Sequence, residues 1–418
     1  MRPRLDLPPE IVPAFWALFF MEATYGAYSS VWPLWIERLG APIAVVGLML
    51  GVGGFLRIFV LAPSAAIAER FGYRRVIIAV RVVSVVGLLG AAIASHWTQL
   101  LLVIITIAIG EMVFPLIQTI VASEAGAQRM RAFALVFNVG PSVALAISPL
   151  VGAGVVAIFG MRAAFLLGAL TSALAIVFLR RVRNARTAPV DPIETPASYR
   201  AAISEPGFRL VGSLLLITIF SLSFGVAFIP TFLEDMRGFA PSEITALGSL
   251  PAVGSAVFGL TVARNRALQR SPFLAAAIPV GLMSIVFLIL RESAFLPLLV
   301  TAFFLRGGLF STWATLISAL GELAPERLRT RSFALLEMIG GMAFALGPMI
   351  AGFLYARRVT LPFEIATLLA LCLVPCFILA QRRANRMPKQ GSPSPPDVGE
   401  SLAGNRAMAD TLPSESAV

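Results

Sequence analysis

The sequence predicts an all-α polytopic membrane protein with twelve transmembrane helices in two pseudo-symmetric six-helix bundles. Three observations carry that prediction. Apolar runs of about 20 residues, each long enough to cross roughly 30 Å of hydrocarbon, recur along the chain. Arginines crowd alternate connections between those runs, as the positive-inside bias requires of a multi-pass chain. The second half of the chain repeats short segments of the first at a nearly constant offset. Composition agrees: 58% of the 418 residues are hydrophobic, 13% are charged and mean hydropathy is +0.87, which excludes an ordinary soluble domain.

Taken in order, the first run covers 11–36. It is too long for a signal-peptide core and has no small-residue cleavage site, so it is expected to be retained. Runs over 42–66, 74–95, 97–122, 131–158 and 161–180 complete a first set, bounded by arginines or by turn residues such as the GAP of Gly40–Pro42. A second set covers 208–233, 241–262, 272–290, 294–319, 332–356 and 360–381. Between the sets, RVRNARTAPVDPIETPASYRAAISE (Arg181–Glu205) is polar and contains prolines, which marks a linker. The expected division is therefore an N-terminal bundle at 1–182, a cytoplasmic linker at 183–206 and a C-terminal bundle at 207–386. Residues 387–418, with their PKQGSPSPPDVGES run, are expected to form a disordered cytoplasmic tail.

The net charge of +11 follows from this topology rather than from a nucleic-acid partner. One set of ends and connections carries Arg2, Arg4, Arg70, Arg74, Arg75, Arg129, Arg131, Arg264, Arg266, Arg270 and the linker and C-terminal arginines. The alternate connections hold only Arg38, Arg162, Arg237, Arg291, Arg357 and Arg358. Both termini are therefore expected on the cytoplasmic side of the cell's inner membrane. Cys372 and Cys376, four apart in the last run, read as small buried apolar side chains rather than as a disulfide or metal site. No metal and no cofactor is expected, and the chain is read as a monomer.

The repeat is explicit in RAFALVFNVG (Arg131–Gly140), which returns 200 residues later as RSFALLEMIG (Arg331–Gly340). PLWIE at Pro33–Glu37 is echoed by PTFLE at Pro230–Glu234. Two copies of a six-helix unit in parallel topology follow the repeat logic of many secondary transporters.

The loop AAIAERFGYRR, Ala65–Arg75, resembles the G-x-L-A-D-R-x-G-R-R-R signature of the major facilitator superfamily. Glu69 takes the acidic place, Arg70 the arginine, Gly72 the turn glycine, and Arg74 and Arg75 the basic end. GPMIAG, with Gly347, Pro348 and Gly352, is similar to the superfamily's G-P-x-x-G-G pattern, and SPLVGA, with Pro149 and Gly152, is a variant of it in the fifth run. The fifth-run form goes with exporters in that family, though here Ser148 and Ala153 depart from it. In physical terms, small residues let helices approach closely and proline bends them. The resemblance implies that helices 1, 4, 7 and 10 line a central cavity and that 3, 6, 9 and 12 face lipid. It also implies that Glu69 and its neighbours latch the halves together in one state. The natural partner of Glu69 would be the partial positive charge at the N-terminus of helix 11, expected near Ser332.

Ionisable residues at membrane depth are costly and mark solute or ion pathways by default. Glu22, Arg57 and Glu111 each fall roughly 16 Å from the cytoplasmic end at about 1.5 Å per residue. Arg306 and Arg81 lie near them in depth. A carboxyl group kept from water can take up and release a proton near neutral pH, so Glu22 or Glu111 is a coupling candidate. Arginine is not, because it stays protonated. If Arg57 is bonded to one of the acids, that acid becomes part of a structural pair. Arg306 is expected either to bind an anionic or hydroxyl-rich solute or to balance Glu111. Glu22, Tyr25, Ser29 and Trp32 follow i, i+3, i+7, i+10, one face of an uninterrupted helix and a polar–aromatic cavity lining. Glu111 with Gln118, and Arg306 with Trp313, share faces in the same way.

Phosphate-binding loops, nucleophile elbows and metal clusters are absent from the sequence, so the chain is not expected to be an enzyme. The leading expectation is a proton-coupled secondary transporter of a small organic solute, working by alternating access and exporting drug-like or amphipathic compounds. Uptake of a sugar or organic acid is the alternative if Arg306 contacts the solute. A non-transporting receptor or scaffold on the same fold is the third reading. The expected partners are a small-molecule solute, protons and the lipid bilayer.

Overall fold

Prolines decide where the membrane helices break. In the computed structural model, which describes residues 7–61, 63–124, 129–182 and 199–386, eleven helices are long and apolar enough to cross a membrane. The remaining crossing is the first, which is not continuous as expected but divided into Val12–Tyr28 and Trp32–Arg38. Pro33 lacks an N–H, and its ring collides with the carbonyl four residues back, at Ser29, where the helix parts. The same rule divides helix 4 into Gln99–Gly110 and Val113–Glu124, with Pro115 acting on Glu111. Helix 7 parts into Pro206–Val226 and Ile229–Arg237 ahead of Pro230, and helix 8 into Pro241–Leu247 and Leu250–Arg264 ahead of Pro251. In helix 5, Pro141 follows a π-helical turn at Leu135–Val139, between Arg129–Ala134 and Gly140–Phe159. Helix 10 has no proline at its break; Leu296–Arg306 and Gly308–Leu323 are separated at Gly307, beside a second glycine with low helical propensity.

The other crossings are continuous: helix 2 Ile43–Leu61, helix 3 Tyr73–Ile93, helix 6 Met161–Leu179, helix 9 Pro272–Glu292, helix 11 Glu326–Arg357 and helix 12 Leu361–Ala384. Helix 11 thus begins at Glu326, ahead of the expected Ser332, because the basic segment after Pro325 forms its first turns. A loop helix, Ser64–Phe71, precedes Gly72, whose φ of +90° is a backbone conformation that glycine alone adopts without strain. Among the described residues there is no strand.

The two halves pack alike. Helix 1 lies against helix 6 as helix 7 lies against helix 12, and helix 3 lies against helix 6 as helix 9 lies against helix 12. Across the molecule, helix 2 packs on helix 11 and helix 5 on helix 8. The end bearing the termini is called proximal here and the opposite end distal. At the distal end Arg38 Nη2 reaches Glu234 Oε1 at 2.9 Å, an ion pair between the halves. Backbones touch along helices 2 and 11: a Cβ added at Gly47 would stand 2.5 Å from the Pro348 carbonyl oxygen and 2.7 Å from Gly352 Cα. Val86, Leu170, Ile285 and Leu368 are exposed apolar residues on helices 3, 6, 9 and 12.

Two expectations are corrected. Cys372 and Cys376 are free and exposed, not buried, because helix 12 packs with Phe363, Ala366, Ala370, Leu373 and Phe377 while the cysteines share the opposite face with Leu368 and Leu379. The end of the expected linker is helical, Tyr199–Ser204, and packs against helices 7 and 11. Residues 183–198 of the linker, the tail at 387–418, and Arg2 and Arg4 lie outside the described residues.

Candidate functional site at the helix breaks

The breaks in helices 4 and 10 coincide with charges. Glu111 caps the first segment of helix 4, where backbone bonds tighten to Glu111 N–Ala108 O and Met112 N–Ile109 O, both 3.1 Å. Arg306 ends the first segment of helix 10, directly before the break at Gly307. Discontinuous helices near the bilayer midplane are where transporters of repeated architecture build their sites.

Arg57 of helix 2 takes Glu111. Its Nε lies 3.8 Å from Glu111 Oε2, an ion pair longer than a hydrogen bond, with both side chains reached by solvent. Glu22 of helix 1 is half-buried nearby and feels the charges of Glu111, Arg81 and Arg57, yet among the described residues it forms no ion pair or hydrogen bond. Arg81 is buried in helix 3 and donates from Nη2 to Thr24 Oγ1 at 3.4 Å; Thr24 in turn shares a 2.9 Å hydroxyl contact with Thr171 of helix 6. Arg81 is therefore a packing charge inside the N-terminal half. Arg57, by contrast, is reached by solvent.

Tyr25 is 55% exposed, unusual for an aromatic residue at this depth, and it interacts electrostatically with Arg306 of the opposite half. The Arg306 guanidinium lies 5.2 Å from the Phe303 ring centre and forms no ion pair among the described residues. Gln118 is exposed further along helix 4, toward the proximal end. Trp313 is half-buried against Gly340 and Phe344.

The expected stripe on helix 1 is not one face. Glu22 and Tyr25 share the solvent-reached side, but Ser29 falls in the break, and Trp32 opens the second segment, packed with Tyr28 and Phe165 at 6.3 and 5.8 Å between ring centres. The residues of the small-side-chain motifs lie at helix crossings: Gly352 and Pro348 on helix 2, Gly347 on Ser223 of helix 7, Gly152 on Ala27 and Pro149 beside Gly26 of helix 1. Glu69, Arg70 and Arg75 are exposed on or beside the loop helix, which packs on helices 2, 3 and 4 of its own half; Arg74 is also exposed. Two residues absent from the sequence reading belong here. Glu337 of helix 11 is exposed at membrane depth, and Phe303 carries Arg306. The repeat held a signal for the first: Glu337 replaces Phe137 in otherwise matching segments.

Two bundles meeting across broken helices, with charges at the breaks, form a fold that known membrane transporters share. The chain belongs to the Major Facilitator Superfamily, whose profile matches residues 14–318. Its fold is similar to that of the peptide transporter POT in complex with sulfate, at TM-score 0.72 and 17% identity over 91% of this chain and 96% of that one. It is also similar to the nucleoside transporter NupG, at 0.69 and 16% over 91% and 100%. A bacterial homologue of the human lysosomal transporter Spinster, inward-facing and unoccupied, gives 0.69 and 16% over 94% and 100%. No curated protein matches the sequence.

Proposed function

We propose that the protein is a proton-coupled secondary transporter that exports a small amphipathic organic solute by alternating access, with Glu22 as the proton site. The observation that supports this reading is the different treatment of two neighbouring acids. Arg57 balances Glu111, while Glu22 has no ion pair among the described residues. A carboxyl group without a fixed counterion can alternate between a proton and a cationic solute, and exposed Tyr25 one turn away supplies a π face for such a cation. Competition for one acid is the simplest basis of exchange: the proton must leave before the cation binds.

Taking the termini as cytoplasmic, the distal contacts between Arg38 and Glu234 and between Gly47 and Gly352 close the outer mouth, which makes this an inward-facing arrangement of an inner-membrane protein. Arg306 supports a second reading. Without an ion pair among the described residues and within electrostatic reach of Tyr25, it suits the carboxylate of an organic acid taken up with protons.

Flux into proteoliposomes with and without an imposed pH gradient, using a lipophilic cation, an organic acid and a sugar, tests the proposal. Proton-driven movement of the cation supports export of amphipathic cations. Accumulation of the acid supports the second reading, and no flux of any solute under either condition overturns both in favour of a receptor or scaffold.

A further inference from the structure

Glu337 brings a third carboxylate to the space between the halves. It lies on helix 11, three residues before Gly340, on which the Trp313 ring of helix 10 packs, and Arg57 of helix 2 acts on it electrostatically. The packing register shows why Arg57 and Glu337 face each other. Gly47 lies on Pro348 and Gly352, Gly51 on Ala345 and Met349, and Gly54 on Gly341 and Ala345. Helices 2 and 11 therefore run antiparallel in backbone contact, each turn on one matched by a turn back on the other. Arg57 follows Gly54 by three residues on that face, and the next turn back along helix 11 carries Glu337.

One guanidinium thus stands between two acids on different halves. In the present arrangement, closed at the distal end, it is 3.8 Å from Glu111 of its own half, and it forms no ion pair within the same range with Glu337. Both acids are on the proximal side of the Gly47–Gly352 contact, which closes the distal mouth. Closing the proximal ends moves Glu337 toward Arg57 and leaves the distance between helices 2 and 4, which belong to one rigid bundle, almost unchanged. Neither acid has another ion-pair partner among the described residues.

We propose that Arg57 is handed between the halves: it pairs with Glu111 when the distal end is closed and with Glu337 when the proximal end is closed, so that Glu337 sets the balance between the two states. This rests on the alternating-access reading above. In consequence Glu111 loses its counterion only in the proximal-closed state, and helix 11 supplies a charged residue to the solute pathway alongside helices 1, 4 and 10.

The test is a double-mutant cycle read on conformation. Spin-label distances across the proximal and distal mouths are measured in the Cys372→Ser, Cys376→Ser background for Glu337→Gln, Arg57→Gln and the pair, with no solute or pH gradient. Glu337→Gln is expected to deplete the proximal-closed population at least fivefold, Glu337→Asp to restore it, and Glu337→Gln to add nothing once Arg57→Gln is present. Wild-type populations in Glu337→Gln, or a full additional effect in the double variant, would overturn the handover. Because the readout uses neither protons nor solute, failure of the handover is distinguishable from failure of proton coupling, which appears only in the flux measurement.

Discussion

Arg57 Nε lies 3.8 Å from Glu111 Oε2, while Glu22, at the same depth on helix 1, forms no ion pair among the described residues. The sequence placed these three charges at one level and left open which acid the arginine holds. Packing answers it: helix 2 lies against the first segment of helix 4, which Glu111 caps.

Removing the arginine exposes what it does. Arg57→Gln leaves Glu111 with no cation, and because both groups are partly solvated the cost to folding is about 1 kcal/mol or less. Transport, which depends on where the charge sits, is expected to fall at least tenfold, with partial recovery in the Arg57→Gln, Glu111→Gln double variant. Thermal unfolding in detergent and solute flux in proteoliposomes separate the two effects.

The distal closure depends on backbone contact. A side chain at Gly47 meets the Pro348 carbonyl and the Gly352 backbone, which cannot rotate away. Gly47→Leu is expected to hold the distal mouth open, raising the labelling rate of a cysteine introduced at Ser30 by an order of magnitude. A rate equal to that of the unsubstituted Gly47 background would show that this contact does not seal the mouth.

The loop helix offers a check at the other end. Glu69 is exposed in this distal-closed arrangement, as a latch residue would be when its partner is withdrawn. Glu69→Gln is expected to enrich the distal-closed state several-fold by removing an anion from the N-terminus of helix 11, which begins at Glu326. Identical populations in wild type and variant would remove Glu69 from the latch.

Much of this was legible in the sequence. Apolar length gave the crossings, and the repeat gave two bundles, because both are imposed by the bilayer and by duplication rather than by side-chain detail. The breaks were legible too, though periodicity alone passed over them: Pro33, Pro115, Pro230 and Pro251 each stand about four residues after the point where a helix parts. Membership of the stripe could not be read, because helix 1 is interrupted at Ser29 and Trp32 opens a new segment. Nor could burial of Cys372 and Cys376, since hydrophobicity does not say which apolar face of helix 12 meets protein and which meets lipid. The partnership of Arg57 with Glu111 and Glu337 arises from three helices distant in sequence, and only packing brings them together.

Glu22 is the carboxyl group proposed to carry the proton. The most direct measurement compares wild type and Glu22→Gln in proteoliposomes for two processes: solute movement driven by a pH gradient, and solute exchange at equal pH. Glu22→Gln is expected to lose gradient-driven movement of a cationic solute by at least tenfold, with exchange at equal pH weakened as well, because the same carboxyl group receives the solute. Gradient-driven movement that survives undiminished in Glu22→Gln would contradict it.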